Sequence, residues 1–236
     1  MRLQVFVGTT GRKITLECLA RLQKFTPVPF ELCVWYDTCG RPLDADFYHQ
    51  LLSFTDDVII STRNHGNNEE ISWALLTLDY DYLLVCGDDC LVTEDYWTKL
   101  YSPFNGWTTL GLTGQARSAF DGEVSVSHPT LYPDYVLLFK KEAVESVGSL
   151  CPAFKVHGSA TVEWAYRAKE LGWDYAVSKG IVHLDKHDSS AILAHPQFQQ
   201  IMDEGQNQLH AAAQRGFRGY PWWTSNLMQK ENLVCR

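Results

Sequence analysis

The sequence has no long apolar run, no CxxC pair and no dense basic cluster, and each absence excludes a class of protein. No apolar stretch approaches the roughly 20 residues that a bilayer crossing needs, so no membrane span is expected. The opening MRLQVFVGTT enters a strand-like run at once. It lacks the longer apolar core and small-residue cleavage site of a secretory signal, so the expected compartment is cytoplasmic. The seven cysteines (Cys18, Cys33, Cys39, Cys86, Cys90, Cys151 and Cys235) are odd in number and argue against a zinc ribbon or thioredoxin-type site. Most of them sit inside apolar runs and read as buried small hydrophobes. Cys90, beside an acidic pair, is a candidate soft metal ligand, although packing is the commoner use of such a residue. Lys and Arg number 20 against 28 Asp and Glu, a net charge of −8, which excludes nucleic acid as the main partner. No internal repeat or low-complexity tract is present.

What remains is a 236-residue chain with 45% hydrophobic and 20% charged residues, enough for a substantial globular core. Its first ninety residues alternate between two kinds of segment. LQVFVG (3–8), PFELCVWYD (29–37), DVIIST (57–62) and YDYLLVCGDD (80–89) are apolar runs of strand length. RKITLECLARLQKF (12–25), DADFYHQLLSF (44–54) and NEEISWALLTL (68–78) between them carry helical spacing. In the last, Asn68 is available at the start, and Glu69 and Glu70 suit the positive end of the helix dipole. Strand–helix alternation with near-continuous apolar strands predicts an α/β fold: a mixed, mostly parallel sheet flanked by helices.

The second half is less regular. It predicts a short helix over 94–101, a strand over 106–114, a loop from Gln115 to Pro133, and a strand then a helix over 134–148. An amphipathic helix follows over 161–173, with Trp164, Ala168 and Leu171 on one face and Glu163, Arg167 and Glu170 on another. A strand over 175–188 runs into a His/Asp cluster. The expected organisation is one domain, with halves over 1–105 and 106–190 and a tail over 191–236 serving as lid or homodimer contact.

In parallel sheets of this kind, ligands collect outside the carboxyl ends of the strands. Those ends carry Gly8-Thr9-Thr10-Gly11-Arg12, Asp37-Thr38, Arg63-Asn64-His65-Gly66-Asn67 and Gly87-Asp88-Asp89. The last is the telling one: LLVCGDDCLV sets two carboxylates side by side at the tip of an apolar strand. Adjacent anions repel and lose hydration on burial, so they make sense only if they face positive charge.

Four stretches, in order, resemble GT-A fold glycosyltransferases of the family 2 type. They are VFVGTTGRKITLECLARL, LCVWYDTCGRP, YDYLLVCGDDCLVTEDYW, and LLFKKEAVESVGSLCPAF with VEWAYRAKELGWDYAVSKGIVHLD. The likeness covers roughly 3–188 and leaves the tail outside; it implies that 1–105 is a nucleotide-sugar-binding half, 106–190 an acceptor-side half and the tail a candidate acceptor contact. It implies a metal-dependent, inverting transfer of sugar from a nucleotide sugar, a UDP-sugar before a GDP-sugar, to an unknown sugar, lipid or protein hydroxyl. The cofactor implied is Mn²⁺ or Mg²⁺. The DxD-like motif would be Asp88 and Asp89, with Asp89 on the metal and Asp88 on the ribose or the ion. Gly87 holds the place where the family has its first Asp. Asp37 would accept from uracil N3–H, Thr9 and Arg12 would line the nucleotide pocket, and Arg63, Asn64 and Asn67 would lie near the diphosphate. His183 would be a third metal ligand, with His187 as competitor.

An inverting transfer needs a general base for the acceptor hydroxyl. The family's Glu-Asp pair is replaced here by Ala160-Thr161. Glu163 is the substitute candidate, against the ordinary reading of an i,i+4 ion pair with Arg167 on a solvated face. Asp185 is next, and a retaining mechanism stays open. His128, Trp222 and Trp223 are candidate acceptor contacts. Two alternatives stand beside glycosyl transfer. One is a nucleotidyltransferase, of whose Gly-rich loop GTTGRK is a faint version. The other is a non-catalytic nucleotide-sugar or glycan-binding protein.

Overall fold

The computed structural model of the chain describes residues 1–63, 65–115, 125–126, 133, 135–151, 159–178, 180–184, 203 and 207. The first half runs β1 (Leu3–Thr9), α1 (Ile14–Phe25), β2 (Phe30–Asp37), α2 (Ala45–Leu52), β3 (Asp57–Ser61), α3 (Asn67–Thr77) and β4 (Tyr82–Gly87). A short β5 (Cys90–Val92), α4 (Tyr96–Tyr101) and a 3-10 turn (Ser102–Asn105) follow. The second half supplies β6 (Leu110–Gln115), β7 (Ser125–Val126), β8 (Tyr135–Lys140), α5 (Lys141–Val147), α6 (Ser159–Glu170), β9 (Asp174–Ser178) and β10 (Val182–Leu184).

Eight strands form one sheet in the order β3-β2-β1-β4-β8-β6-β9-β7. β1 lies parallel between β2 and β4, and β2 is parallel to β3. β8 runs antiparallel to both β4 and β6, β9 parallel to β6, and β7 antiparallel to β9. Both halves of the chain therefore build one continuous sheet. The parallel strands are apolar on both sides because both sides are covered. Phe6, Cys33, Trp35, Leu83 and Val85 pack with α3, α5 and α6, whereas Val5, Val7, Val34, Tyr36 and Leu84 pack with α1, α2 and α4. α2 starts where Asp44 accepts from the Phe47 amide at 3.0 Å, an N-cap that satisfies one free donor of the first turn.

The sequence-based expectation lacks β5 and also β7, which falls inside the span from Gln115 to Pro133 read as a loop, and it differs at two further places. The strand expected over 175–188 is broken near Gly180 (φ +61°) into β9 and β10, and β10 leaves the main sheet to pair antiparallel with β5. α6 is also not amphipathic in the expected sense. Trp164 and Ala168 are buried as foreseen, but so are Glu163 and Arg167, while Leu171 is 55% exposed. The helix lies against α5 and β9, so Glu163 and Arg167 point inward as well, while Glu170 stays exposed.

Candidate active site at the carboxyl ends of the parallel strands

The chain steps outward from β1 to β2 to β3, then returns through α3 to place β4 on the other side of β1. That reversal opens a crevice outside the carboxyl ends of β1, β2 and β4, the usual ligand position in such sheets. Thr9, Asp37 and Asp88 all sit at its floor, each buried. The predicted residues Thr9, Arg12, Asp37, Asp88 and Asp89 are thus brought together, as are Ser61, Arg63 and His65 at its edge.

The acidic pair forms the turn between β4 and β5. Asp88 is held on all sides. Thr9 Oγ1 donates to its Oδ2 at 2.9 Å, Thr15 Oγ1 reaches the same atom at 3.4 Å, and Arg12 Nε donates to it at 3.0 Å. Arg12 Nη2 bonds Asp88 Oδ1 and lies 3.3 Å from Asp89 Oδ2. The positive partner that the two carboxylates require is therefore supplied in part by the chain itself. Burial works to lower the Arg12 pKa, but hydrogen bonding to Asp88 and the charges of Asp88 and Asp89 outweigh it and raise the value. The guanidinium expected to line the nucleotide pocket spends its fork on Asp88. Gly11, at φ +86° with Tyr36 Oη 3.0 Å from where a Cβ would stand, gives the turn that aims Arg12 back at the crevice.

Asp89 is the outward-facing member, its side chain 28% exposed against 10% for Asp88. Carboxylate oxygens are the hard donors that Mg²⁺ and Mn²⁺ take, so Asp89 fits a divalent cation by chemistry and access. Asp88 fits less directly, because its oxygens are already paired. No set of three His, Cys, Asp or Glu side chains suited to a metal occurs among the described residues. β10 comes close in backbone terms: His183 pairs with Leu91 and Leu184 with Cys90, one residue past Asp89. The Cys90 thiol is buried in a nest with Cys18 and Cys86, whose sulfurs are 3.8 Å apart, and lies 3.7 Å from Asp89 Oδ1.

At the other end of the crevice, Asp37 Oδ2 accepts from the His65 amide at 3.1 Å. The neighbouring Thr38 Oγ1 is buried with no hydrogen-bond partner among the described residues, and Asp37 Oδ1 has none but the carboxyl of Glu70. Arg41 braces this corner, donating to Thr38 O at 3.1 Å and Thr10 O at 2.7 Å, which ties the loop after β1 to the loop after β2. Arg63 is exposed and donates to His65 Nε2 at 3.2 Å, and Asn67 is exposed at the start of α3.

Sequence reasoning missed Glu70. It was expected on the dipole end of α3, yet it is buried, with its carboxyl against the backbone of Gly8 and hydrogen-bonded to Asp37. Burial raises its pKa well above the usual carboxyl range, and the bond to Asp37 and the charges of Asp37, Asp88 and Glu69 push it further up. A strand glycine beside an acidic helix start was the available signal.

Glu163 is corrected as a candidate base. Its side chain is 0% exposed and both oxygens are taken by Arg167, which also donates to the carbonyls of Val147 and Ser149. The pair ties α6 to the end of α5 and does not reach an acceptor. Asn64, His128, Asp185, Trp222 and Trp223 lie outside the described residues.

No protein-family profile and no curated sequence matches the chain. Solved structures do. The mannosyltransferase PcManGT from Pyrobaculum calidifontis, in complex with GDP-Man and Mn²⁺, superposes with a TM-score of 0.63 at 15% identity over 93% of this chain. S. aureus TarS 1-349 in complex with UDP-GlcNAc gives 0.59 at 14% identity over 88%. GalNAc-T7 with UDP, GalNAc and Mn²⁺ gives 0.61 at 13% identity over 91%. The fold is GT-A. The chain spans 66%, 66% and 50% of those three structures respectively, so it corresponds to part of each.

Proposed function

We propose that this GT-A chain is a metal-dependent glycosyltransferase that moves a sugar from a UDP-sugar to an acceptor hydroxyl with inversion. The observation that carries the reading is the placement of Asp88 and Asp89 at the tip of β4, in one crevice with Thr9, Arg12 and Asp37. Base, ribose and diphosphate then run from Asp37 towards Asp89. Asp37 accepts from uracil N3–H. Asp89 anchors a Mn²⁺ or Mg²⁺ ion, with His183 as further ligand, and the ion supplies positive charge against which the diphosphate departs.

The chain's own residues do the rest. Asp88 holds Arg12 and Thr9 in place, and Arg12 adds a second positive charge beside the diphosphate. Asn67, at the start of α3, and Asn64 are assigned to the diphosphate side. The proton of the acceptor hydroxyl goes to Asp185, which follows directly on the β10 residue opposite Cys90. His128, Trp222 and Trp223 are assigned to the acceptor side. A second reading, a nucleotide-sugar binding protein without turnover, draws support from the burial of Glu163. Incubation with a panel of UDP- and GDP-sugars and Mn²⁺, following nucleoside diphosphate release, separates the two. Mn²⁺-dependent release from one UDP-sugar supports transfer; tight binding without release supports the second reading.

A further inference from the structure

Glu70 has no part in the scheme above, yet its carboxyl touches the residue that the scheme places on the base. Side chains alternate across a strand, so Phe6 and Gly8 of β1 and Cys33, Trp35 and Asp37 of β2 share one face of the sheet. α3 covers that face, with Ile71, Ala74 and Leu75 in the same cluster as Phe6, Cys33 and Trp35. Trp73 seats the helix edge-on against Trp35, their ring centroids 5.4 Å apart. Glu70 lies one turn earlier, nearer the carboxyl ends of the strands. Its Oε2 occupies the space that a Cβ at Gly8 would need, and its carboxyl is hydrogen-bonded to Asp37. Both carboxyls are buried.

Two carboxyls share a hydrogen bond only if one of them keeps its proton. Glu70 is the one that keeps it. Burial strips its hydration, and the charges that act on it, from Asp37, Asp88 and Glu69, are all negative, so its ionised form is the costlier. Asp37 then receives two fixed donors: the Glu70 hydroxyl, and the His65 amide 3.1 Å from Oδ2. Each carboxylate oxygen has a further lone pair, so Asp37 held in this way still accepts from the crevice and presents no donor to it.

We propose that Glu70 is a positioning residue that keeps Asp37 a pure hydrogen-bond acceptor and so sets a preference for uracil over cytosine. The inference rests on the nucleotide reading above, in which the base lies at Asp37. Uracil N3 carries a hydrogen and donates. Cytosine N3 carries none, so it meets the lone pairs of Asp37 with its own, and the wrong base is rejected by repulsion as well as by a lost bond. Without Glu70, Asp37 loses a fixed donor and can turn its oxygen away from the base, which weakens both effects. Gly8 belongs to the same device: a side chain there would expel the Glu70 carboxyl from its place beside Asp37.

Calorimetric titration of the full chain with UDP and with CDP, each with Mn²⁺, tests this. The wild type binds UDP about tenfold or more tightly than CDP, as the loss of a hydrogen bond to a charged group predicts. In Glu70→Ala that ratio falls to about threefold or less, because UDP binding weakens and CDP binding does not. Glu70→Gln, whose amide donates to Asp37 as the acid does, restores the ratio to within about twofold of wild type. Inorganic pyrophosphate with Mn²⁺ binds all three proteins alike, which separates a lost base contact from a folding defect; a merely structural role would weaken UDP, CDP and pyrophosphate together. A ratio unchanged in Glu70→Ala, or lost equally in Glu70→Gln, overturns the assignment of Glu70 and leaves the nucleotide site standing. UDP bound by the wild type without preference over CDP overturns the base contact at Asp37 and the role of Glu70 with it. No binding of UDP by the wild type overturns the nucleotide reading itself.

Discussion

Arg12 lies across the carboxylate of Asp88, with Nε 3.0 Å from Oδ2 and Nη2 on Oδ1, and its edge reaches Asp89. One guanidinium thus compensates two adjacent anions, and the buried one takes the larger share. Removing it strands Asp88. Arg12→Ala is expected to cost about 2–3 kcal/mol, somewhat less than loss of one partner from a fully buried pair, because Arg12 is still 23% exposed. Thermal melting would show a drop of roughly 5–10 °C for a chain this size. Added Mn²⁺ should stabilise this variant more than the wild type, since it meets uncompensated carboxylates. A melting point within a degree of wild type would show that the pair does not depend on Arg12.

Glu163 and Arg167 make the opposite case, an ion pair inside the core. Burial raises the Glu163 pKa and lowers that of Arg167, with each opposing the other's shift, so the pair is held by its partners more than by net attraction. Glu163→Ala leaves a buried guanidinium without its carboxylate, and urea unfolding should register a loss of about 3–5 kcal/mol. Turnover per folded molecule should be unchanged. A fall of a hundredfold or more in a folded variant would restore Glu163 as the base.

Glu70 gives a pH dependence of definite sign. Its proton is held more tightly in the folded chain than in the unfolded one, where the value is 4.5. As pH rises past about 4.5 the unfolded state gives up its proton first, so the folded state binds more protons and stability falls with pH. The slope contributed is at most 1.36 kcal/mol per unit for one proton, and it ends when the folded carboxyl ionises too. Glu70→Gln should flatten this decline and be the more stable protein at pH 8. Parallel stability–pH curves for the two proteins would contradict it.

Gly8 and Glu70 should be energetically coupled. Gly8→Ala forces a Cβ into the Glu70 carboxyl, at a cost of about 1–3 kcal/mol. Combined with Glu70→Ala, most of that cost should vanish, which a double-mutant cycle in urea measures as a coupling of at least about 1 kcal/mol. Additive effects would mean that the two residues do not meet.

The sheet was legible because each parallel strand is an uninterrupted apolar run, and such runs survive translation into structure within a residue or two: 29–37 became Phe30–Asp37, and 57–62 became Asp57–Ser61. The acidic turn was legible for the converse reason, being a local violation of the apolar rule. What escaped was set by tertiary contacts. β5 has three residues, too short for a pattern, and exists because β10 pairs with it. Glu70 and Glu163 each satisfy a surface rule, one at a helix dipole and one in an i,i+4 pair, and both rules hold equally well when the helix face is covered. Gly8, which makes room for Glu70, carries no side chain to announce it.

The account stands on Asp89 as the anchor of a divalent cation beside a nucleoside diphosphate. Calorimetry of UDP binding to wild type and Asp89→Asn, with Mn²⁺ and with chelator, tests it most directly. We predict that Mn²⁺ strengthens UDP binding to the wild type at least tenfold and that Asp89→Asn, still folded, binds UDP equally weakly with and without the ion. The same Mn²⁺-dependent gain in both proteins would contradict it.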